Sequence, residues 1–168
     1  MFDNFPRFHS DADSQNDRKS LNRKLDKHLL YVVQKETEGN GQEKWILPQS
    51  SRENGETLRQ TAERVLKNYI SDTNVTILGN APWGVHTVSY PTSQRAKTGS
   101  HGAKIFFFKA QLSGRKCTPS SSCQYNWLDR EELATFLETD YHRSVSQFII
   151  DEDWCIANFQ VLSLDTIY

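Results

Sequence analysis

Short stretches of apolar residues, some of them alternating with polar ones, recur along the chain and are separated by segments containing Gly, Pro or Ser. Stretches rich in β-branched and aromatic side chains predict β-strands. The strongest of these is KIFFFKAQL, at 104–112. The pattern predicts six strands, at 29–34, 45–47, 75–78, 85–90, 104–112 and 125–128, and a loop over 91–103.

Three other segments place apolar residues at helical spacing. The first follows Thr57, which with Gln60 predicts a capping box at a helix start. The second follows Asp129, with Glu132 in its first turn, and runs through Leu137, and the third covers about 141–150. The first helix has its apolar stripe at Leu58, Ala62, Val65, Leu66, Tyr69 and Ile70.

The order of these elements predicts an α/β fold. One helix follows the second strand and the other two come at the end, which is compatible with an α/β/α sandwich built on a mixed β-sheet. We expect three segments: a polar, partly basic N-terminal arm at 1–27, a folded domain at 28–150, and a C-terminal tail of uncertain structure at 151–168.

Composition and charge fit one globular domain. The chain has 168 residues, 36% of them hydrophobic, and a net charge of -1, so it lacks the strongly basic character of a protein whose main task is to coat nucleic acid. Its apolar runs are too short to span a bilayer, and we predict no membrane segment. Three cysteines without C-x-x-C spacing argue against a disulfide framework and a zinc site.

The stretch WILPQSSRENGETLRQTAERVLKNY, at 45–69, resembles a Nudix box, the motif of Nudix pyrophosphohydrolases. Trp45, Leu47 and Pro48 match the approach to the box, and Gly55, Glu56 and Arg64 match its frame. The three box glutamates, however, fall on Val65, Asn68 and Tyr69.

These three positions would lie on one face of a helix, because residues three and four apart are neighbours there. Carboxylates at such positions could hold Mg²⁺, which prefers oxygen ligands and activates phosphate substrates and water. A valine, an asparagine and a tyrosine cannot replace them, so we predict no metal, no cofactor and no catalysis. A displaced site built from Glu53, Glu56 and Glu63 stays open as an alternative, although an ion pair with Arg64 is the expected role of Glu56.

Basic residues concentrate in two places. DRKSLNRKLDK, at 17–27, contains Arg18, Lys19, Arg23, Lys24 and Lys27 against two acidic residues, and the predicted loop at 91–103 adds Arg95 and Lys97. These seven residues are our candidates for contact with RNA or a protein partner. A solvated charged stretch leading into the first strand is the alternative for 17–27.

Several motifs together carry a closer resemblance. KWILPQ, NGETLRQTAERVL, LGNAPWG and GAKIFFFKA, with NDRKSLNRKLDKHLLYVV before them, resemble the Nudix-fold family of mitochondrial large-subunit ribosomal proteins number forty-six, over about 14–150. The resemblance implies a non-catalytic Nudix domain that serves as a structural component of the mitochondrial large ribosomal subunit. It also implies a mitochondrial matrix location, although the chain shows no targeting sequence.

The implied partners are other large-subunit proteins near the central protuberance, and ribosomal RNA. The tail at 151–168 matches no family segment. Two alternatives use the retained frame of the box: a Nudix hydrolase acting on nucleoside diphosphate derivatives, and a module that binds a nucleotide without cleaving it.

Overall fold

The computed structural model describes residues 10–36, 43–71, 75–113, 117–119 and 123–149, together with the backbone of 159–167. Residues 151–158 and 168 of the predicted tail and the first nine residues of the predicted arm lie outside these ranges. The helices are α1 Asp11–Ser14, α2 Leu58–Tyr69, α3 Thr92–Thr98, α4 Arg130–Phe136 and α5 Thr139–Ser146. The strands are β1 Leu30–Glu36, β2 Glu43–Ile46, β3 Val75–Leu78, β4 Gly84–Ser89, β5 Gly102–Leu112, β6 Tyr125–Leu128 and β7 Phe159–Ile167.

The described strands form two antiparallel sheets. In the first sheet, β1 lies between β2 and β6. In the second, the long strand β5 pairs with β3, β4 and β7. The α/β class is confirmed, but in place of one mixed sheet the described pairs are all antiparallel and divide into two sheets. Strand composition alone does not reveal this, because it fixes neither the partner nor the direction of a strand.

Strands β3 and β4 lie one after the other along the same edge of β5. Val75 to Leu78 pair with Leu112 to Lys109, and Gly84 to Ser89 pair with Phe107 to Gly102. Since β7 pairs with Ala103 through Gln111, it occupies the opposite edge. The residues 79–83 between β3 and β4 therefore leave the ladder as an exposed loop, which we call the 79–83 loop.

Two apolar clusters form the core, and strands β1 and β5 contribute to both because their side chains alternate between faces. Tyr31 and Phe108 belong to the cluster beneath α2, whereas Val32 and Phe107 belong to the cluster beneath α4 and α5. All four are nearly or fully buried. The two clusters are thus joined through shared strands into one body.

Helix starts follow local sequence closely. Thr57 accepts a hydrogen bond from the N–H of Gln60, whose side chain bonds back to Thr57, and Asp129 and Glu132 form the same box at α4. Both capping predictions are confirmed. The last predicted helix is shorter than expected: α5 begins at Thr139 and ends at Ser146.

The prediction of a loop over 91–103 was wrong, since helix α3 occupies most of it. Pro91 precedes the helix, and Gly99 follows it with φ of 69°, a left-handed conformation that glycine adopts readily. The helix consists mainly of polar residues, most of them exposed, and has no apolar stripe. Hydrophobic periodicity therefore could not reveal it.

Candidate functional site

Helix α2 carries the three positions that align with the glutamates of the predicted Nudix box, and their side chains lie in different environments. Val65 is fully buried in the core cluster beneath α2. Tyr69 packs against the same cluster, and burial raises the pKa of its hydroxyl. Asn68 is exposed. Two of the three positions therefore pack against the core, and none carries a carboxylate.

The predicted ion pair between Glu56 and Arg64 is present. Arg64 donates from Nε to Oε1 at 2.7 Å and from Nη2 to Oε2 at 2.9 Å. Oε2 also accepts from the Glu53 N–H at 3.1 Å and from Thr61 Oγ1 at 2.9 Å. The Arg64 hydrogen bonds, helped by that from the Glu53 N–H, lower the pKa of Glu56 to about 2. Glu56 is thus ionised at neutral pH, and its carboxylate joins the loop to α2.

The other two candidate carboxylates also pair with arginines. Glu53 Oε1 lies 3.4 Å from Arg64 Nη1 with its side chain 67% exposed, and Glu63 pairs with Arg59 at 3.1 Å on the surface of α2. Within the described ranges, no group of three or more His, Cys, Asp or Glu side chains is placed to hold a metal ion. Glu53, Glu56 and Glu63 are therefore engaged with arginines rather than grouped around a shared vacant position.

A cleft of about 320 Å³ lies beside the box, between the two sheets. Trp45 and Tyr141 line it, and the Tyr141 hydroxyl accepts a hydrogen bond from the Leu47 N–H at 3.3 Å. His86 also lines the cleft and contacts Ser144 Oγ through Nδ1 at 2.8 Å. Burial lowers the pKa of His86, and nearby carboxylates partly oppose this effect. The cleft is aromatic and polar.

The predicted basic segment is bound to the N-terminal end of α4. Arg23 is 1% exposed, donates to the Trp127 carbonyl at 2.9 Å, and pairs with Glu132 at 2.6 Å. Lys24 pairs with Asp129 at 2.5 Å, and Lys27 pairs with Glu131 at 3.1 Å. These contacts attach residues 10–27 to the domain.

The pKa values of Asp129 and Glu132 reflect both their burial and the basic side chains that contact them. Burial acts to raise the pKa of Asp129, but the hydrogen bond from Lys24 and the capping hydrogen bond from the Glu132 N–H lower it overall. Burial also acts to raise the pKa of Glu132, but the hydrogen bond from Arg23 and that from the Asp129 N–H lower it overall.

Burial corrects the candidate list at one position, because Arg23 has no exposed surface with which to reach an RNA phosphate. Arg18 lies 3.6 Å from Glu132 and stacks over Phe136, whereas Lys19, Arg95 and Lys97 are exposed. The roles of Arg18, Lys19, Lys24, Lys27, Arg95 and Lys97 in partner contact stay predictions.

Sequence reasoning missed two features: the acidic residues that pair with the basic segment, and the cleft beside the box. The run Asp129, Arg130, Glu131 and Glu132 was a visible signal for the first, since its charge complements that of 17–27. The cleft had no local signal, because its lining residues come from separate parts of the chain.

The fold and these side chains define an α/β domain with an apolar core, with ion pairs at the starts of α2 and α4. Among the described residues, no helix has the length and apolar composition required to cross a bilayer. No protein-family model matches the chain.

Similarity to known proteins is nevertheless extensive. The chain is 45% identical over 145 residues to the large ribosomal subunit protein mL46 of Bos taurus, an alignment that covers 84% of this chain and 51% of the relative. The Mus musculus protein of the same name is 38% identical over 86% of this chain and 50% of that protein. The Neurospora crassa protein mL46 is 33% identical over 81% and 39%, respectively.

The chain therefore belongs to the mL46 family of mitochondrial large ribosomal subunit proteins, over the part of those proteins that it spans. It spans about half the length of the mammalian relatives. The resemblance noted from the sequence motifs is confirmed.

Proposed function

We propose that the chain is a non-catalytic structural component of the mitochondrial large ribosomal subunit and works in the mitochondrial matrix. The observation that carries this proposal is the 45% identity to a large ribosomal subunit protein across 84% of the chain. The proposed architecture is a degenerate Nudix-type sandwich that serves as a binding scaffold. Its proposed partners are other large-subunit proteins near the central protuberance, and ribosomal RNA.

The box helix supports a scaffold role on independent physical grounds. A helix face that packs Val65 into the core cannot also present that position to a hydrated Mg²⁺ ion. The Glu56 carboxylate, which could have contributed a ligand, is already bound by Arg64 and Thr61. Stabilising the fold is the role that these contacts favour.

Sedimentation tests the structural role. The tagged full chain, expressed in mitochondria, should sediment with the large subunit and remain with it after Mg²⁺ removal has separated the two ribosomal subunits. The double variant Arg95→Gln and Lys97→Gln tests whether α3 contributes to this association, with Arg143→Gln as a matched exposed control. A chain that sediments apart from large subunits contradicts the proposal.

The alternative function, a hydrolase of nucleoside diphosphate derivatives, is tested by measuring product release. The purified chain should release no product from a panel of nucleoside diphosphate derivatives with Mg²⁺ or Mn²⁺. Metal-dependent turnover that disappears in Glu56→Gln but persists in Glu53→Gln would restore the enzymatic interpretation.

The cleft beside the box favours one further candidate, a module that binds a nucleotide without cleaving it. Aromatic and polar groups such as Trp45 and Tyr141 are suited to a base and its hydrogen-bonding edge. Calorimetric titration with nucleotides checks this candidate, and absence of binding heat at millimolar concentration eliminates it.

A further inference from the structure

Strand β4 has one edge that no described strand covers. Among the described strands it pairs only with β5. The Tyr90 N–H donates to the His101 carbonyl at 3.0 Å, which continues this ladder by one hydrogen-bonded pair. Because hydrogen-bonded and non-hydrogen-bonded pairs alternate in an antiparallel ladder, the backbone N–H and C=O groups of Val85, Thr87 and Ser89 point away from β5.

These outward groups are open to a partner. Among the described residues none forms a hydrogen bond with them, and all three side chains are exposed, with Val85 at 48%. Natural proteins usually protect such an edge with charged side chains, a proline or a covering element. The β4 sequence GVHTVS contains no Asp, Glu, Lys, Arg or Pro. The edge therefore keeps the donors and acceptors with which a sheet takes up a further strand.

Charge along the chain is unevenly distributed, and β4 lies in its basic part. Residues 73–128 contain six Lys or Arg but no Asp or Glu, although the whole chain has 21 acidic residues. The net charge of -1 conceals this difference, because the rest of the chain has an excess of acidic residues. Strands β3, β4 and β5 and helix α3 all belong to the basic stretch.

Exposed cations of this stretch lie beside the free edge. Arg95 Nε donates at 2.6 Å to the carbonyl of the residue that follows β4, and Lys97 is exposed on the same helix. Lys104 is exposed opposite Thr87, and directly opposite residues share one face of a sheet. Helix α5 packs on the other face, beside His86, whose pKa reflects the carboxylates there. The edge and its exposed face are thus positively charged.

The other end of the edge is apolar. Ala81, Pro82 and Trp83 of the 79–83 loop are exposed next to Val85, and Trp83 is 47% exposed. The Trp83 N–H donates to the Phe107 carbonyl at 2.7 Å, which holds this end against β5. Clustered aromatic and aliphatic side chains of this kind are suited to side chains of a bound polypeptide.

The backbone groups and the charge distinguish between possible occupants. Phosphate oxygens accept hydrogen bonds but do not donate them, so an RNA backbone would leave the outward carbonyls of β4 without donors. A polypeptide offers N–H and C=O groups in the alternation that a sheet edge requires. A second copy of this chain would add positive charge, whereas an acidic segment complements it.

We infer that the outer edge of β4 receives an extended, acidic segment of a partner polypeptide as an additional strand. Apolar side chains of that segment lie against Trp83 and Val85, and its carboxylates lie near Arg95, Lys97 and Lys104. This inference rests on the proposed function, to which it adds the surface of the scaffold that binds a protein and the chemistry of the segment bound.

The test is fluorescence anisotropy of the purified full chain with a labelled peptide of about ten residues that alternates valine and glutamate, long enough to pair along β4. Thr87→Pro should weaken binding at least about fivefold, because proline removes an outward N–H donor. Proline is tolerated on an edge strand where the N–H faces solvent, so this variant should fold. Thr87→Val keeps the donor, and its affinity should equal that of the wild type.

The charge requirement is tested separately. The double variant Lys97→Glu and Lys104→Glu should weaken binding of the acidic peptide at least about threefold. A peptide that alternates valine and lysine should bind the wild type at least about tenfold more weakly than the acidic peptide. Circular dichroism establishes that each variant is folded, and Ser89→Pro, which also removes an outward N–H, replaces Thr87→Pro if the latter unfolds.

Equal peptide affinity of wild type and of the folded proline variant overturns the inference, as does a wild type that binds no peptide at millimolar concentration. A single-stranded RNA that binds more tightly than the peptide, and equally well to Thr87→Pro, assigns the surface to RNA instead. Dimerisation that Thr87→Pro abolishes assigns the edge to a second copy. Peptide binding with the expected variant effects, combined with a chain that sediments apart from large subunits, upholds the edge site and contradicts the proposed function alone.

Discussion

At the scale of single residues, the environment of each side chain explains its role in the segment that resembles a Nudix box. Glu56 accepts hydrogen bonds from Arg64, the Glu53 N–H and Thr61, which leaves its carboxylate little capacity for a metal ion. Val65 fills a fully buried position, whereas Asn68 meets solvent. The frame of the box thus persists as a structural device.

Glu56→Gln should make unfolding less dependent on pH in the acidic range. The folded-state pKa of Glu56, about 2, lies below the unfolded value, so its stabilisation is complete above the unfolded pKa and disappears as the pH falls towards 2. Urea unfolding at pH 6, 4.5 and 3 should show the difference between wild type and variant shrinking at each step. Glu53→Gln, which changes a more exposed carboxylate on the same loop, should show a much smaller dependence, and equal behaviour of the two variants would contradict this assignment.

Restoring a glutamate at position 65 should damage the fold instead of creating a metal site. Val65→Glu places a carboxyl group in a closely packed core without a partner, and we expect a loss of about 3 kcal/mol or more in the free energy of unfolding. The matched variant Asn68→Glu changes an exposed residue on the same helix and should alter stability by less than about 0.5 kcal/mol. Chemical denaturation measures both, and a Val65→Glu protein as stable as wild type would refute the packing argument.

At the scale of elements, the N-terminal segment and helix α4 form one electrostatic unit. Asp129 caps the helix while binding Lys24, and Glu132 completes the cap while binding Arg23. Negative charge at a helix N-terminus is favourable by itself, and the basic segment neutralises its excess. Arg23, Lys24 and Lys27 of this basic stretch thus make contacts within the domain.

Arg23→Met should detach this segment. It leaves Glu132 without its best partner in a mostly buried position, for which a cost of about 3 kcal/mol is typical. Limited proteolysis should then cut within residues 10–27 at a protease concentration that leaves the wild type intact. Lys27→Met removes a 40% exposed partner and should cost less than about 1 kcal/mol; faster cleavage in this control than in Arg23→Met would contradict the ranking.

At the scale of the whole molecule, the two core clusters share strands. Tyr31 and Val32 are neighbours on β1 that face opposite clusters, and Phe107 and Phe108 do the same on β5. Loss of one cluster would expose the strands that support the other, so both should unfold together.

Val145→Ala should reveal this coupling. Val145 is fully buried in the cluster beneath α4 and α5, and loss of its two methyl groups should lower the free energy of unfolding by about 2 kcal/mol. We expect a single lowered transition that coincides when followed by far-UV circular dichroism and by tryptophan fluorescence, to which Trp127 of the other cluster contributes. Separate transitions in the two signals would show that the clusters unfold independently.

Local sequence determined what depends on local interactions. Capping residues fixed where α2 and α4 begin, β-branched and aromatic runs predicted strands β1 to β6 but not β7, and Val65, Asn68 and Tyr69 are visibly not carboxylates. These features follow from residues within a few positions of one another, so a single pass along the chain can detect them.

Tertiary structure decided which distant residues meet. It placed Arg23 against Glu132, more than one hundred positions away, and Arg59 against the Gly79 carbonyl, 20 positions away. The division into two antiparallel sheets was decided in the same way. The physical reason is that strand pairing, burial and ion pairing depend on separation in space, which neither composition nor periodicity specifies.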